Sequence, residues 1–193
     1  MLGGNGREAS LFLSSSDQEY DDDIALSQGF DIIVQYFQNM KIISGGQTGV
    51  DWAAIDIVIE LGLEYGGSIH LGRKAEDGPI DPKYDKLTEL ASPDYRARTQ
   101  QNVLDPDATL IFTIGAPTGG TAATIEFARK YNKPHLIIDL KTTDSESTVT
   151  LINDWLRRTR PAILNIAGPR ESKCPVIYTI TRDILEKVLD RRS

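Results

Sequence analysis

Short apolar runs alternate with segments of helical periodicity from Lys41 to the end of the chain. Apolar residues recur at intervals of three and four after the first run, at Val50, Ala53, Ala54 and Ile57, which predicts an amphipathic helix. Strands that alternate with helices of this length favour a parallel sheet covered by helices on both faces. The pattern predicts a three-layer α/β domain with a mainly parallel sheet of about five strands, at residues 41–44, 68–71 (weakly), 109–114, 136–140 and 162–167.

Several predicted helices carry signals at their ends. Thr48, with Asp51 three residues later, resembles a capping box, and Gly62 suits the C-terminal cap of the same helix. Residues 94–104 form a helical segment rich in Arg and Gln, and Gly119-Gly120 opens the helix after the next strand. These signals place glycine-rich turns directly between strands and helices.

Residues 1–39 differ from the rest of the chain in composition. Residues 1–6 are rich in glycine, and residues 14–23 form a run of serines and acids that is typical of a solvated, mobile segment. Residues 31–37 are more apolar and could pack as a short helix or strand. We expect residues 1–39 to be an accessory, partly disordered extension and residues 40–193 to form the ligand-binding domain.

Composition excludes several classes of function. The formal net charge of -7 disfavours binding to DNA or RNA, whose backbones are anionic. Cys174 is the only cysteine, so an intrachain disulfide and a cysteine-based zinc site are both excluded. The chain has no apolar stretch of about 20 residues, and from residues 1–13 we expect no signal peptide. We therefore expect a cytoplasmic protein with a small-molecule ligand, without a nucleic-acid or membrane partner and without a bound metal.

Three predicted strand-to-helix turns combine glycines with groups that bind anions. Because ligands of open parallel sheets bind outside the carboxyl ends of the strands, these turns predict one binding site. Backbone N–H groups at a helix start and a guanidinium both suit phosphate. The candidate ligand-binding residues in the three turns are Gly45, Gly46, Gln47, Thr48, Gly49 and Asp51, then Thr118, Gly119, Gly120, Thr121 and Thr124, and finally Arg170 and Ser172.

The turns match no standard nucleotide motif. The first lacks the spacing of the dinucleotide fingerprint and the lysine of a P-loop. Where a dinucleotide fold has an acid near the end of its second strand, this chain has Arg73 and Lys74, which favours a ligand with an additional anionic group. Arg98 is a further candidate on the following helix. Asp51 suits a helix start as well as a ligand contact.

Six strings in the same order resemble the putative molybdenum cofactor carrier family over about residue 40 to the C-terminus. The resemblance implies a Rossmann-like fold, related to the lysine-decarboxylase-like phosphoribohydrolases, and a non-catalytic carrier of molybdenum cofactor or a nucleotide. Two departures are Trp52 and Val176, at positions where we expect arginine and glycine. The resemblance also implies that a homodimer is possible. The strings are GGQTGVD (45–51), GRKAEDGPI (72–80), YRARTQQNV (95–103), DATLIF (107–112), TGGTAAT (118–124) and AGPRES (167–172).

The sequence leaves two other functions open. The related phosphoribohydrolases have a P-G-G-x-G-T-x-x-E turn, which aligns with residues 118–126 with Ala122 and Ala123 in place of its Gly and Thr. By this resemblance the chain could be a nucleotide N-glycosidase, with Glu126 as the catalytic carboxylate and Arg98 as its companion. It could also be a sensor that binds a nucleotide-like signal. Whether the ligand is turned over therefore stays open at this stage.

Overall fold

The computed structural model describes residues 40–92 and 94–190, together with Gln35, Phe37 and Asn39. Its strands are β1 (Lys41–Ile43), β2 (Tyr65–Gly66), β3 (Ser68–Ile69), β4 (Lys74–Ala75), β5 (Gly78–Pro79), β6 (Thr88–Glu89), β7 (Ala108–Thr113), β8 (His135–Asp139) and β9 (Ile163–Ala167). Its helices are α1 (Val50–Glu60), α2 (Tyr95–Leu104), α3 (Gly119–Lys130), α4 (Ser145–Thr159) and α5 (Ile177–Leu189).

The main sheet has five parallel strands in the order β2-β1-β9-β7-β8. Every residue of β7 is buried, as expected for a central strand covered on both faces. The last strand in the sequence, β9, lies between β1 and β7, so the strand order reverses at this point. The prediction of a mainly parallel α/β sheet of this size is confirmed.

Helices cover both faces of the sheet. The connection from β1 through α1 to β2 runs towards one edge, and the connection from β7 through α3 to β8 runs towards the other. Because such crossovers are right-handed, α1 and α3 lie on opposite faces. Helices α4 and α5 pack on the side of α1, and α2 packs with α3. A cluster of Val103, Ala123, Phe127 and Ala128 joins the latter two helices.

The second strand differs from its predicted position. In the structure Tyr65–Gly66 pairs with β1, whereas Ser68–Ile69 pairs with β6 in a separate parallel pair of strands. The chain bends at Gly67, where φ is +127° and where a Cβ atom would lie 2.0 Å from the Ser44 carbonyl oxygen. This bend carries the polar segment after residue 67 away from the main sheet, where it forms a short hairpin of β4 and β5.

The predicted N-terminal extension lies almost entirely outside the described residues. Phe37 is buried, and its carbonyl accepts a hydrogen bond from the backbone N–H of Met40. The division of the chain at residue 39 stays a prediction. Among the residues that the structure describes, no helix is long and apolar enough to cross a membrane.

Candidate functional site

A cleft of about 470 Å³ opens at the carboxyl ends of β1, β9 and β7. These are the three central strands, and each is followed by one of the predicted glycine turns. The cleft therefore lies where the strand order reverses, which is the usual ligand position in open α/β sheets. The predicted site residues that line it are Gly45, Gln47, Asp51, Arg98, Thr118, Gly119, Gly120, Thr121, Thr124, Arg170 and Ser172.

Arg98 and Asp51 form a buried ion pair in the lining of the cleft. The Arg98 Nη1 atom donates a hydrogen bond to the Gly45 carbonyl at 3.0 Å and lies 3.8 Å from the Asp51 Oδ2 atom. A Cβ atom on Gly45 would lie 1.7 Å from that Nη1 atom. Only glycine at position 45 therefore admits the guanidinium, and the role of Gly45 is this close approach.

Burial dominates the electrostatics of the pair. It raises the pKa of the Asp51 carboxyl, against the lowering effect of Arg98 and of the hydrogen bond from the Gln47 N–H. Burial also lowers the pKa of Arg98, against the raising effect of Asp51. Each charge is thus stabilised chiefly by the other, and loss of either one would leave an uncompensated buried charge.

The first turn binds an anion of its own, the Asp51 carboxylate. The Gln47 N–H donates to the Asp51 carboxylate at 3.1 Å, and the Val50 N–H donates to the Pro169 carbonyl at 3.2 Å. Gly46 packs against Ile69, and a Cβ atom on Gly49 would lie 2.5 Å from the Pro169 oxygen. Gly46, Thr48 and Gly49 do not line this cleft, and their contact with a ligand stays a prediction.

The capping box predicted at this helix start is wrong. The N-cap of α1 is Gly49, and no side chain caps it. Asp51 folds back to the Gln47 N–H, while the Thr48 hydroxyl donates to Glu76 and accepts from the Glu171 N–H at 3.2 Å. Thr48 thus joins the first turn to two other loops, while Asp51 binds back within its own turn.

The second turn presents an open helix N-terminus. Helix α3 begins after Thr118, has no side-chain cap and carries no acid in its first turn. The first hydrogen bond within the helix runs from the Ala122 N–H to the Thr118 carbonyl, so the three preceding N–H groups have no partner within the helix. Apart from the helix's own backbone and the chain neighbours, no atom of the described residues lies within 4 Å of a Cβ atom built on Gly119 or Gly120. These N–H groups, with the positive end of the helix dipole, can bind an anion.

Asp139 holds the second turn in place from the next strand. Its Oδ1 atom accepts hydrogen bonds from the Gly115 N–H at 2.8 Å and the Lys141 N–H at 3.0 Å. These bonds lower the pKa of the Asp139 carboxyl. The Thr124 hydroxyl donates to the Gly120 carbonyl at 2.9 Å, which leaves Thr121 as the hydroxyl of the helix that no described contact occupies.

The third turn supplies cations to the cleft. Arg170 and Lys173 line the cleft together with Arg98. The carboxylates of Asp51 and Glu76 also line it. Three cations therefore face two carboxylates in a chain with a net charge of -7. This local excess of positive charge favours an anionic ligand over a cationic one.

Glu76 is a site residue that the sequence analysis did not select. From the hairpin turn between β4 and β5 it accepts hydrogen bonds from Thr48 and from both the N–H and the hydroxyl of Ser172, the N–H at 3.1 Å. Partial burial would raise the pKa of Glu76, but the hydrogen bonds from Ser172 and Thr48 outweigh it and lower the pKa. Glu76 thereby ties the hairpin to the first and third turns. In the sequence, the mixed-charge loop that contains Glu76 does not indicate this role.

Asn165 is a second residue that sequence reasoning missed. It interrupts the apolar strand β9, is 1% exposed and lines the cleft. Its Oδ1 atom has no hydrogen-bond partner in the described part of the chain, and the same holds for Gln47 Oε1 and Arg98 Nε. A buried polar atom without a partner costs about 1–3 kcal/mol. A lone polar residue inside an otherwise buried strand is the signal that could have identified Asn165.

Two basic residues predicted to bind the ligand lie outside the cleft lining. The Arg73 guanidinium donates to the backbone carbonyls of Leu87 at 3.3 Å and Tyr84 at 3.0 Å. The Lys74 carbonyl accepts from the Gln47 side chain at 3.1 Å. Both residues hold the loop after residue 70 against the domain, because the bend at Gly67 carries them away from the strand ends.

Glu126 also lies outside the cleft lining. Its carboxylate pairs with Arg96 at 3.0 Å, and both side chains are more than half exposed. Position 126 lies beyond the second turn of α3 and faces α2. Arg98 pairs with Asp51 instead, so the structure does not bring the two proposed glycosidase residues together.

No group of three His, Cys, Asp or Glu side chains within the described ranges could hold a metal ion. Cys174 lines the cleft as a free thiol, and burial, together with the nearby Glu171 carboxylate, raises its pKa. Because the thiolate is the form that binds a metal, Cys174 is a poor soft ligand near neutral pH.

The parallel sheet, the order reversal and the cleft at the strand ends define a Rossmann-like α/β binding domain. The chain belongs to the circularly permutated YpsA SLOG family, whose model matches residues 42–189. Its structure is similar to that of a putative molybdenum carrier protein from Syntrophus aciditrophicus SB, with 48% identity and a TM-score of 0.76. The match covers 78% of this chain and 95% of that chain. The resemblance to the carrier family is thus confirmed, and comparison with curated proteins gave no match.

Proposed function

We propose that this protein binds and carries a phosphate-bearing small molecule, with the phosphate at the N-terminus of α3. The observation that carries the proposal is the uncapped start of this helix in a cleft that also contains Arg170 and Lys173. Phosphate is the anion for which open N–H groups, a hydroxyl and a guanidinium are jointly suited. The similar solved structure is named as a carrier, which supports this role over a catalytic one.

Molybdenum cofactor and a nucleotide are the two ligand classes that the proposal includes. The cleft offers hydrogen-bond donors for a phosphate but, among the described residues, no set of metal ligands. The residues therefore fit the phosphate of such a cargo. If molybdenum cofactor binds, the cofactor's own sulfurs would hold the metal, and the chain would bind the phosphate.

An Arg170→Ala variant tests the phosphate site. We expect its affinity for ribose 5-phosphate to fall about 10- to 100-fold, because a hydrogen bond to a charged group contributes about 1.5–3 kcal/mol. Isothermal titration calorimetry on the full chain measures the change. Arg129→Ala is the matched control, since Arg129 is exposed at the far end of α3, and its affinity should equal that of the wild type.

Two results would contradict the proposal. If wild type and Arg170→Ala bound ribose 5-phosphate with equal affinity, the proposed position of the phosphate would be wrong. Release of free base from guanosine 5′-monophosphate during incubation would show turnover, and the protein would then be an enzyme and not a carrier.

A further inference from the structure

We propose that the Glu76 carboxylate occupies a second anion subsite, formed by Thr48 and Ser172, and that a second phosphate group of the ligand binds there in its place. The inference rests on the proposed function and adds to the phosphate at the N-terminus of α3. It is carried by three hydrogen-bond donors that converge on the Glu76 carboxylate: the Thr48 hydroxyl and the N–H and hydroxyl groups of Ser172.

Other contacts fix the positions of these donors. The Thr48 oxygen accepts a hydrogen bond from the Glu171 N–H at 3.2 Å, so its own proton is left to donate to an anion. The Ser172 N–H belongs to a turn that is closed by a hydrogen bond from the Lys173 N–H to the Arg170 carbonyl at 3.0 Å. Because these contacts do not involve the hairpin, the donors form a preorganised anion subsite.

The group that the donors hold is, in contrast, a long side chain on an exposed turn. Glu76 lies at the tip of the hairpin, between two strands of two residues each, and residue 76 is exposed. It lines the cleft together with Ser172. Rotation of this one side chain can therefore release the carboxylate from the donors and open the subsite to the cleft.

The surroundings carry more positive charge than one carboxylate requires. Arg170 and Lys173 both line the cleft beside Ser172. The acid of the same turn, Glu171, does not compensate them at the subsite, because its carboxylate accepts hydrogen bonds from two N–H groups at the start of α5, at 2.6 and 3.0 Å. Three donors and two cations suit a phosphate group, which carries a charge of about −1.5 to −2 at pH 7, better than a carboxylate.

Titration of the full chain with inorganic phosphate, followed by amide NMR, reports the two subsites separately. The Ser172 amide reports the second anion subsite, and the Gly120 amide reports the N-terminus of α3. We expect phosphate to bind at Ser172 about tenfold more tightly in a Glu76→Ala variant than in the wild type, as the release of one hydrogen bond to a charged group predicts.

Asp77→Asn is the matched control, because it removes a neighbouring negative charge from the same turn, and no described hydrogen bond involves the Asp77 side chain. The affinity at Ser172 in this variant should be close to that of the wild type. A second measurement needs no substitution. In the wild type, saturation of the Ser172 amide with phosphate at pH 7 should lower the amide protection of residues 74–79, because Glu76 loses its partners.

Equal affinities at Ser172 in the wild type and Glu76→Ala would overturn the inference. An equal gain in Asp77→Asn would also overturn it, since the effect would then be one of net charge. If Glu76→Ala does not fold, unchanged protection of residues 74–79 in the phosphate-saturated wild type would be decisive against the inference. A response of the Gly120 amide alone would leave the proposed function standing, whereas no response at either amide would overturn both.

Discussion

Gly45 and Arg98 depend on each other, although 53 residues separate them in the sequence. The sequence predicts that Gly45 lets the backbone approach a ligand. In the structure the missing side chain admits the guanidinium of Arg98 instead. Sequence analysis can identify a position where only glycine fits, but it cannot name the distant group that requires it. For the same reason, the contact of Arg98 with Gly45 cannot be predicted without the position of α2.

Val176 adopts a conformation that disfavours its side chain. It precedes α5 with φ of 71° and ψ of 3°, in the left-handed region where a β-branched residue is strained. The family resemblance predicts glycine at position 176. The side chain is 59% exposed, so it contributes little burial in return.

We expect Val176→Gly to stabilise the protein by about 0.5–1 kcal/mol. Relief of about 1–2 kcal/mol of left-handed strain exceeds the entropy that glycine adds to the unfolded chain. Thermal and denaturant unfolding measure the gain. Thr179→Gly, an exposed position within α5, is the control and should destabilise, because glycine lowers helix stability. Equal destabilisation by both substitutions would show that Val176 is not strained.

At the scale of elements, α1 and α3 show why similar turns have different uses. Both helices follow a central strand, with a glycine pair before α1 and at the start of α3, and the sequence predicts that both bind the ligand. Helix α1 has Asp51 in its first turn and uses it as an internal anion, whereas α3 has no acid there. This difference is visible in the sequence. The effect of this difference on ligand binding depends on whether the Asp51 carboxylate folds back onto the turn. Local spacing alone does not determine this.

The hairpin of β4 and β5 is attached to the rest of the site through Glu76. Because the pKa of Glu76 is lowered by its contacts, these contacts stabilise the attached hairpin above the ordinary carboxyl pKa of 4.5. The stabilisation is lost as the pH falls from 4.5 through the lowered folded value. We expect amide protection factors in residues 74–79 to fall over this range, as measured by hydrogen exchange corrected for intrinsic rates.

The Glu76→Gln variant should show low protection of residues 74–79 even at pH 7 and should lose the pH dependence. Asp77→Asn is the matched control from the same turn and should behave like the wild type, since no described hydrogen bond involves the Asp77 side chain. Protection that falls equally in both variants would assign the effect to the turn and not to Glu76.

At the scale of the whole molecule, the sequence predicts the layers and the number of main strands but not the strand order. Periodicity and turn residues are local, and they identify β7, β8 and β9 to within a residue or two. The position of β9 between β1 and β7 depends on pairing between distant segments, such as Lys41 with Ile163. The location of the cleft follows from that order, so the sequence alone does not place Asn165 of β9 in the cleft.

The central position of β9 also constrains how the chain can fold during synthesis. Until Ile163–Ala167 leaves the ribosome, β1 and β7 lack the strand that joins them, and the sheet remains in two separate pairs. We expect ribosome-bound chains that expose residues 40–160 to be cleaved rapidly in pulse proteolysis, and chains that also expose residues 161–189 to resist. Resistance of the shorter chains would show that the halves fold without β9. On this expectation, a nascent chain of this protein remains accessible to chaperones and proteases until β9 has been synthesised.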